Sequence, residues 1–235
     1  MINEAMIFAA GLGKRMQHLT KRKPKPLLKI KKKSILKNNI EKLIQNNFKN
    51  IVINTFYHPE QIIRETEEFP SVKVIIEKER LETGGGVLNA VNKKYFENES
   101  PILLLNGDIF WLNEDYDSIE KIKTYWNPKK MDMLLCLKKK EEFFGYDGSG
   151  DFELTESEET LSPLFRPQKA LLAFTGLQIT KQNIFREIKK KRFSIRDQIM
   201  VSLKKRKLFG YVDQNPWFHI GSLEAYKKIR EIYNE

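Results

Sequence analysis

Ala5-Met6-Ile7-Phe8-Ala9-Ala10-Gly11-Leu12-Gly13-Lys14-Arg15-Met16, followed by Pro24-Lys25-Pro26, is the stretch from which the rest of the chain is read. The apolar run predicts a buried strand. The glycines that end it open a turn where backbone N–H groups can approach an anion with no Cβ in the way. Arg15 and Lys25 add two positive charges, and the flanking prolines restrict the backbone of Lys25. The layout fits a nucleoside triphosphate. Taken alone, it fits equally a tight strand-to-loop turn carrying solvated basic side chains.

Residue order excludes two other nucleotide loops. No G-x-x-x-x-G-K-[ST] is present, so a P-loop is ruled out. A dinucleotide fingerprint needs a third glycine at position 16, where this chain has Met16. Two later segments then favour the triphosphate. Leu81-Glu82-Thr83-Gly84-Gly85-Gly86 follows the strand-like 72–77, and its glycines suit close approach to a flat base and a ribose. Pro101-Ile102-Leu103-Leu104-Leu105-Asn106-Gly107-Asp108 is an apolar strand ending in a carboxylate. Ligands of open α/β sheets gather beyond the carboxyl ends of strands, which puts Asp108 where a hard cation bridging phosphates would sit.

With these segments in place, the chain resembles the sugar-1-phosphate nucleotidyltransferases. The resemblance rests on Ala9 to Met16, Pro24-Lys25-Pro26-Leu27, Glu82 to Gly86 and Asn106-Gly107-Asp108, with later landmarks at Gly150-Asp151-Phe152, Phe174-Thr175-Gly176 and Trp217 to Ser222. Within the family it is most similar to the branch that joins UTP to N-acetylmuramate 1-phosphate in cell-wall sugar recycling. The resemblance implies a nucleotide site at Ala9, Ala10, Gly11, Leu12, Gly13, Lys14, Arg15, Met16, Lys25, Glu82, Thr83 and Gly84. It implies a sugar site at Asn106, Gly150, Asp151, Thr175 and Gly176. Arg15, Lys25 and Asp108 are the expected catalytic residues. The substrates implied are a nucleoside triphosphate and a sugar 1-phosphate, with mannose or heptose 1-phosphate and GTP as an alternative pair.

The family pattern breaks at its metal site. Where the family reads Trp-x-Asp-x-Gly-Thr, this chain has His219 and Ser222. Mg²⁺ prefers oxygen ligands and imidazole suits Mn²⁺ or Zn²⁺ better. Three outcomes follow: Mg²⁺ held mainly by Asp108 and substrate phosphates, with His219 as a second ligand; a shift toward Mn²⁺; or a non-catalytic regulator that keeps the nucleotide pocket. The first is preferred, since Mg²⁺ is often held by one or two carboxylates plus phosphates. His219 also reads as a strand histidine hydrogen-bonded beneath the site.

Strands expected at 5–10, 50–54, 72–77, 101–105, 132–137, 171–179 and 207–212 alternate with helices expected at 34–47, 59–66, 86–95, 115–126, 181–190, 197–203 and 222–233. That alternation predicts an α/β fold with a doubly wound, mostly parallel, Rossmann-like sheet. Ser34 is the expected cap of the first helix. The polar stretch 141–167 reads as a small insertion on the sugar side. The 235 residues are expected to form one nucleotidyltransferase domain, 1–235.

No apolar run approaches the ~18 residues of a membrane span, and no signal-type segment opens the chain, so a cytoplasmic protein without a membrane partner is expected. Cys136 lies in an apolar run and is expected to be an inert buried thiol. The net charge of +11 comes from short clusters such as Lys189-Lys190-Lys191-Arg192, without a nucleic-acid-binding pattern, so no nucleic-acid partner is expected. The sequence specifies no oligomeric state.

Overall fold

The computed structural model describes residues 2–97, 99–155 and 161–233. Fourteen strands are described: β1 (Glu4–Phe8), β2 (Lys29–Ile30), β3 (Lys33–Ser34), β4 (Asn50–Thr55), β5 (Val72–Ile76), β6 (Ile102–Asn106), β7 (Ile109–Trp111), β8 (Met133–Lys139), β9 (Phe143–Phe144), β10 (Glu153–Leu154), β11 (Leu161–Phe165), β12 (Leu172–Thr180), β13 (Leu208–Val212) and β14 (Trp217–His219). The helices are α1 (Ile35–Gln45), α2 (Pro59–Thr66), α3 (Glu82–Asn92), α4 (Ser118–Tyr125), α5 (Ile195–Lys204) and α6 (Leu223–Ile232).

Nine strands form one sheet in the order β10-β11-β13-β8-β12-β6-β1-β4-β5. β1 pairs in parallel with β4 on one side and β6 on the other, and β4 with β5. β12 is antiparallel to β6 and β8, while β13 is parallel to β8, so all strands but β11 and β12 run the same way. The doubly wound expectation holds. Period-two alternation then divides the core between the two faces. Ala5, Ile7, Ile51, Ile53, Leu103 and Leu105 face α1, α2 and α4. Met6, Val52, Ile102 and Leu104 face α3 and α5.

The helix starts follow from caps. Ser34 Oγ accepts the Lys37 N–H at 3.0 Å, as expected, and Ser222 Oγ accepts the Ala225 N–H at the head of α6. Three stretches depart from expectation. Residues 181–190 do not form a helix; only a 3-10 turn at Asn183–Phe185 is present. Four consecutive cations at 189–192 disfavour a helical continuation. Phe193 is also drawn into backbone pairing with Leu81 and Gly85. α3 begins at Glu82 rather than Gly86, so the three glycines lie inside the helix. In 141–167, β10 and β11 extend the main sheet and β9 joins a small sheet, β7-β14-β9; positions 156–160 fall outside the described residues.

That small sheet and α6 enclose a third apolar cluster, which includes Met16, Leu28, Phe110, Phe218, Ile220 and Ile229. It underlies the glycine-rich loop. The loop therefore rests on a core of its own beside the carboxyl end of β1, where β4 and β6 diverge to either side, the point at which open α/β sheets bind ligands.

Candidate active site

The glycine loop leaves β1 at Ala9, whose N–H donates to both the backbone oxygen (3.1 Å) and Oδ1 (3.2 Å) of Asn54 at the end of β4. Gly13 then turns the chain at φ +61°, and its carbonyl accepts the Met16 N–H (2.8 Å) and the Thr20 hydroxyl (2.9 Å). Gly13 is required by that backbone. Gly11 differs, because a Cβ built on it would meet no protein atom within 4 Å. Its bare Cα faces open cavity instead. Met16 is fully buried and anchors the loop, while Arg15 is exposed. Leu12 and Lys14 line a separate hollow with His18, Lys21 and Tyr57.

Lys25 begins a 3-10 turn set by Pro24 and Pro26, is 8% exposed, and donates from Nζ to Asp108 Oδ2 at 2.8 Å. Gly107 makes this meeting sterically feasible. Its N–H donates to the Phe8 carbonyl at 3.0 Å, and a Cβ there would lie 2.4 Å from that oxygen and 3.0 Å from Pro26. The close approach carries Asp108 past the end of β6 onto the lysine. Phe8, Gly11, Lys25, Pro26, Thr83, Asn106, Gly107 and Asp108 surround a cavity of about 230 Å³. A second cavity of about 290 Å³ shares Phe8, Gly11 and Thr83 with the first and extends to Ala10, Asn54, Glu77 and Arg80.

Burial pushes the Asp108 carboxyl up, but Lys25, His219 and Arg15 together outweigh it, and the group lies below its ordinary value. Lys25 and Asp108 border one cavity; Arg15, exposed on the loop, lines neither cavity, although its charge acts on Asp108. His219 sits beside it: β14 pairs His219 with Ile109, and the Ile220 N–H donates to the Asp108 carbonyl at 3.1 Å. Burial lowers the imidazole's pKa; Asp108 raises it, Lys25 and Arg15 lower it further, and the net shift is downward, favouring the neutral ring. The Gly145 backbone raises the imidazole's pKa slightly in return, and Nδ1 is buried without a protein partner. A neutral ring with an unpartnered nitrogen has a lone pair open to a metal ion.

The other nucleotide-side candidates separate. Thr83 lines both cavities, and its Oγ1 accepts the Ile195 N–H at 2.9 Å. Glu82 borders the second cavity and pairs with Arg192 at 3.1 Å. Gly84 faces away, since a Cβ on it would lie 2.4 Å from the Phe193 ring, so its lack of a side chain serves helix packing instead of approach to a ligand.

Of the sugar-side candidates, Asn106 lines the cavity. Gly176 (φ +95°) packs on Asn106 within an irregularity of β12, where a Cβ would lie 2.5 Å from Nδ2. Thr175 is buried and donates from Oγ1 to the Cys136 carbonyl at 2.9 Å. Gly150 (φ +91°) packs against the Ala170 carbonyl, and Asp151 accepts from the Phe174 N–H (3.1 Å) and Arg196 (2.9 Å). Of these four, Gly176 packs directly on Asn106, and none lines the cavity that Asn106 borders. Cys136 is fully buried, and burial first, with Asp213 nearby, pushes its thiol well up, as expected of an inert group.

Asn54 and Glu77 are cavity residues that motif reading missed. Glu77 is 4% exposed; burial raises its carboxyl pKa, while Oε1 accepts from Asn54 Nδ2 at 2.7 Å. Their positions at the carboxyl ends of neighbouring parallel strands were the available signal. Among the described residues no cluster of three or more His, Cys, Asp or Glu side chains could hold a metal. A cation here would have Asp108 and His219 as its protein donors. No helix among the described residues is long and apolar enough to cross a membrane.

Residues 4–235 match the family model described as Nucleotidyl transferase. The N-acetylmuramate alpha-1-phosphate uridylyltransferase of Caulobacter vibrioides is 26% identical over 229 residues, covering 94% of this chain and 93% of its own. The D-glycero-alpha-D-manno-heptose 1-phosphate guanylyltransferase of Campylobacter jejuni is 29% identical over 231 residues, with coverage of 95% and 96%. The solved structure of HddC from Yersinia pseudotuberculosis complexed with GMP-PN shares the fold with a TM-score of 0.74 at 22% identity, covering 99% of this chain and all of that one.

Proposed function

The chain belongs to the nucleotidyl transferase family and is a sugar-1-phosphate nucleotidyltransferase; within that activity we propose that it joins UTP to N-acetylmuramate 1-phosphate, releasing pyrophosphate. The observation that carries the reading is the Lys25–Asp108 pair at 2.8 Å inside a cavity bordered by Gly11. A cation and a carboxylate held together at a bare glycine backbone suit a polyanion that brings its own counter-ion.

In the reaction, a phosphate oxygen of the sugar 1-phosphate forms a new bond to the α-phosphorus, and the bond from that phosphorus to the β-phosphate bridging oxygen breaks. The protein's task is positioning and charge neutralisation. Backbone N–H groups around Gly11 and Gly13, together with Arg15, hold the β- and γ-phosphates. Lys25 exchanges its contact with Asp108 for the α-phosphate and the incoming sugar phosphate. Asp108 and His219 would hold a divalent cation, Mg²⁺ or Mn²⁺, which would neutralise the developing charge when bound. No general base is required, because a phosphate monoester is already ionised at neutral pH. Thr83, Glu82, Asn54 and Glu77 border the base and ribose, and Asn106 borders the sugar. The whole chain, 1–235, acts as one catalytic unit in the cytoplasm.

The uridylyltransferase relative supports the choice of UTP and N-acetylmuramate. The guanylyltransferase relative supports a second reading, GTP with heptose 1-phosphate. Pyrophosphate release on a panel of nucleotides and sugar 1-phosphates decides between them. Asp108→Ala should abolish product formation with the fold retained, and Lys25→Ala should lower turnover at least ~10²-fold, as expected for loss of a charge-stabilising group. Wild-type turnover in either variant refutes the assigned roles.

A further inference from the structure

The first turn of α3 separates the nucleotide-side cavity from another on the outer side. This outer cavity, about 310 Å³, lies between the end of β5, the 77–81 turn, α3 and Lys191. Leu81, Gly85 and Leu88 form its floor, and Ile76, half exposed at the edge of the sheet, forms one wall. Its rim carries Lys78, Lys93 and Lys191 against Glu79. Lys78 and Lys191 make no ion pair among the described residues, whereas Arg192 of the same basic run is paired to Glu82.

The basic run is built into this wall. The Gly85 N–H donates to the Phe193 carbonyl and the Phe193 N–H to the Leu81 carbonyl, which pins the segment across the head of α3. A Cβ on Gly85 would lie 2.2 Å from the Lys191 carbonyl, so the glycine is what lets the lysine backbone close the cavity. The volume suits a small organic molecule. An apolar floor takes a flat hydrocarbon body, and a lysine rim takes a negative charge.

We propose that this cavity is a second ligand site, for a small organic anion with a flat apolar body, and that its occupancy alters nucleotide affinity through Glu77. Glu77 borders both cavities. Its Oε2 accepts the Leu81 N–H at 3.3 Å and its Oε1 accepts from Asn54, whose own Oδ1 accepts the Ala9 N–H where the glycine loop begins. A ligand lying against Glu77 and the Leu81 turn therefore acts on groups that border the nucleotide, and linkage requires the nucleotide to act back equally. This coupling rests on reading the inner cavity as the nucleotide site; the anion site does not.

Fluorescence titration of the full chain with anilinonaphthalene sulfonate should give saturable one-to-one binding. Ile76→Glu and Lys93→Glu, both at exposed positions, should weaken it at least ~10-fold, with melting curves and nucleotidyl transfer unchanged. Asn92→Trp, which fills the cavity from an exposed helix position, should exclude the dye without reversing any charge. Saturating dye should shift the Kd for UTP by about fivefold or more. Dye binding that survives all three substitutions overturns the site, as does a dimer in sedimentation that excludes the dye, since a second copy would then cover the face. An unmoved Kd for UTP overturns the coupling. A chain that binds dye but no nucleotide overturns the functional reading and leaves the anion site standing.

Discussion

His219 stands in a pocket of fixed charges with a ring that burial keeps toward its neutral form and an Nδ1 that no protein group satisfies. An unpartnered buried nitrogen is costly unless something binds it. A borderline metal offers more to imidazole than Mg²⁺ does, because nitrogen is a softer donor than carboxylate oxygen. His219→Asp should therefore shift the metal preference toward Mg²⁺, read as the ratio of activities in Mg²⁺ and Mn²⁺ and as direct binding of each metal by calorimetry. An unchanged ratio with unchanged binding removes His219 from the ligand set.

At the scale of elements, the head of α3 carries three glycines inside a helix, where each costs about 0.5–1 kcal/mol relative to alanine. Propensity alone would make Gly85→Ala stabilising. Packing reverses the sign, since the added methyl would lie 2.2 Å from the Lys191 carbonyl and 3.1 Å from Leu81 Cβ. Overpacking of this kind typically costs about 1–3 kcal/mol. Gly85→Ala should thus lower the midpoint of denaturant unfolding, and a raised midpoint would mean that the 189–193 segment moves aside freely.

Across the whole molecule, the main sheet and the small sheet that carries His219 are joined by a buried polar knot. Asp213 is fully buried and accepts from the hydroxyls of Tyr211 and Tyr116 and from the Asn215 N–H. Asn215 Nδ2 donates to the Tyr116 carbonyl and to Ser118 Oγ, both at 2.9 Å, and its Oδ1 accepts the Glu114 N–H. Burial, with Cys136 and Asp213 adding to it, raises the Tyr211 hydroxyl far above its ordinary range, so it stays a donor. The knot fixes where β14 starts and hence where His219 arrives. Asn215→Ala should cost about 1–3 kcal/mol of stability through the partners left unsatisfied. It should also lower kcat by up to ~10²-fold through misplacement of β14. Equal loss in stability with wild-type kcat would show that the knot holds the fold without placing the site.

Strands β1, β4, β5, β6, β8, β12 and β13, the six helices and the candidate groups Arg15, Lys25 and Asp108 were legible in the chain because each rests on local information: apolar runs, a serine cap, glycines beside cations, a carboxylate ending a strand. The sequence by itself determined which groups could meet a polyanion. Whether Lys25 and Asp108 met was decided by the close approach of Gly107, just past β6, to the Phe8 carbonyl of β1, a contact that no local pattern encodes. The same holds for what the motifs concealed. Gly84 to Gly86 read as a ligand loop but form a helix packed on Phe193 and Asn54, and Phe193, just beyond the 181–190 stretch that forms no helix, pairs its backbone with Leu81 and Gly85. Those outcomes depend on partners about a hundred residues apart in the chain for Phe193 and about thirty for Asn54, whose energies exist only once the sheet has brought them into contact.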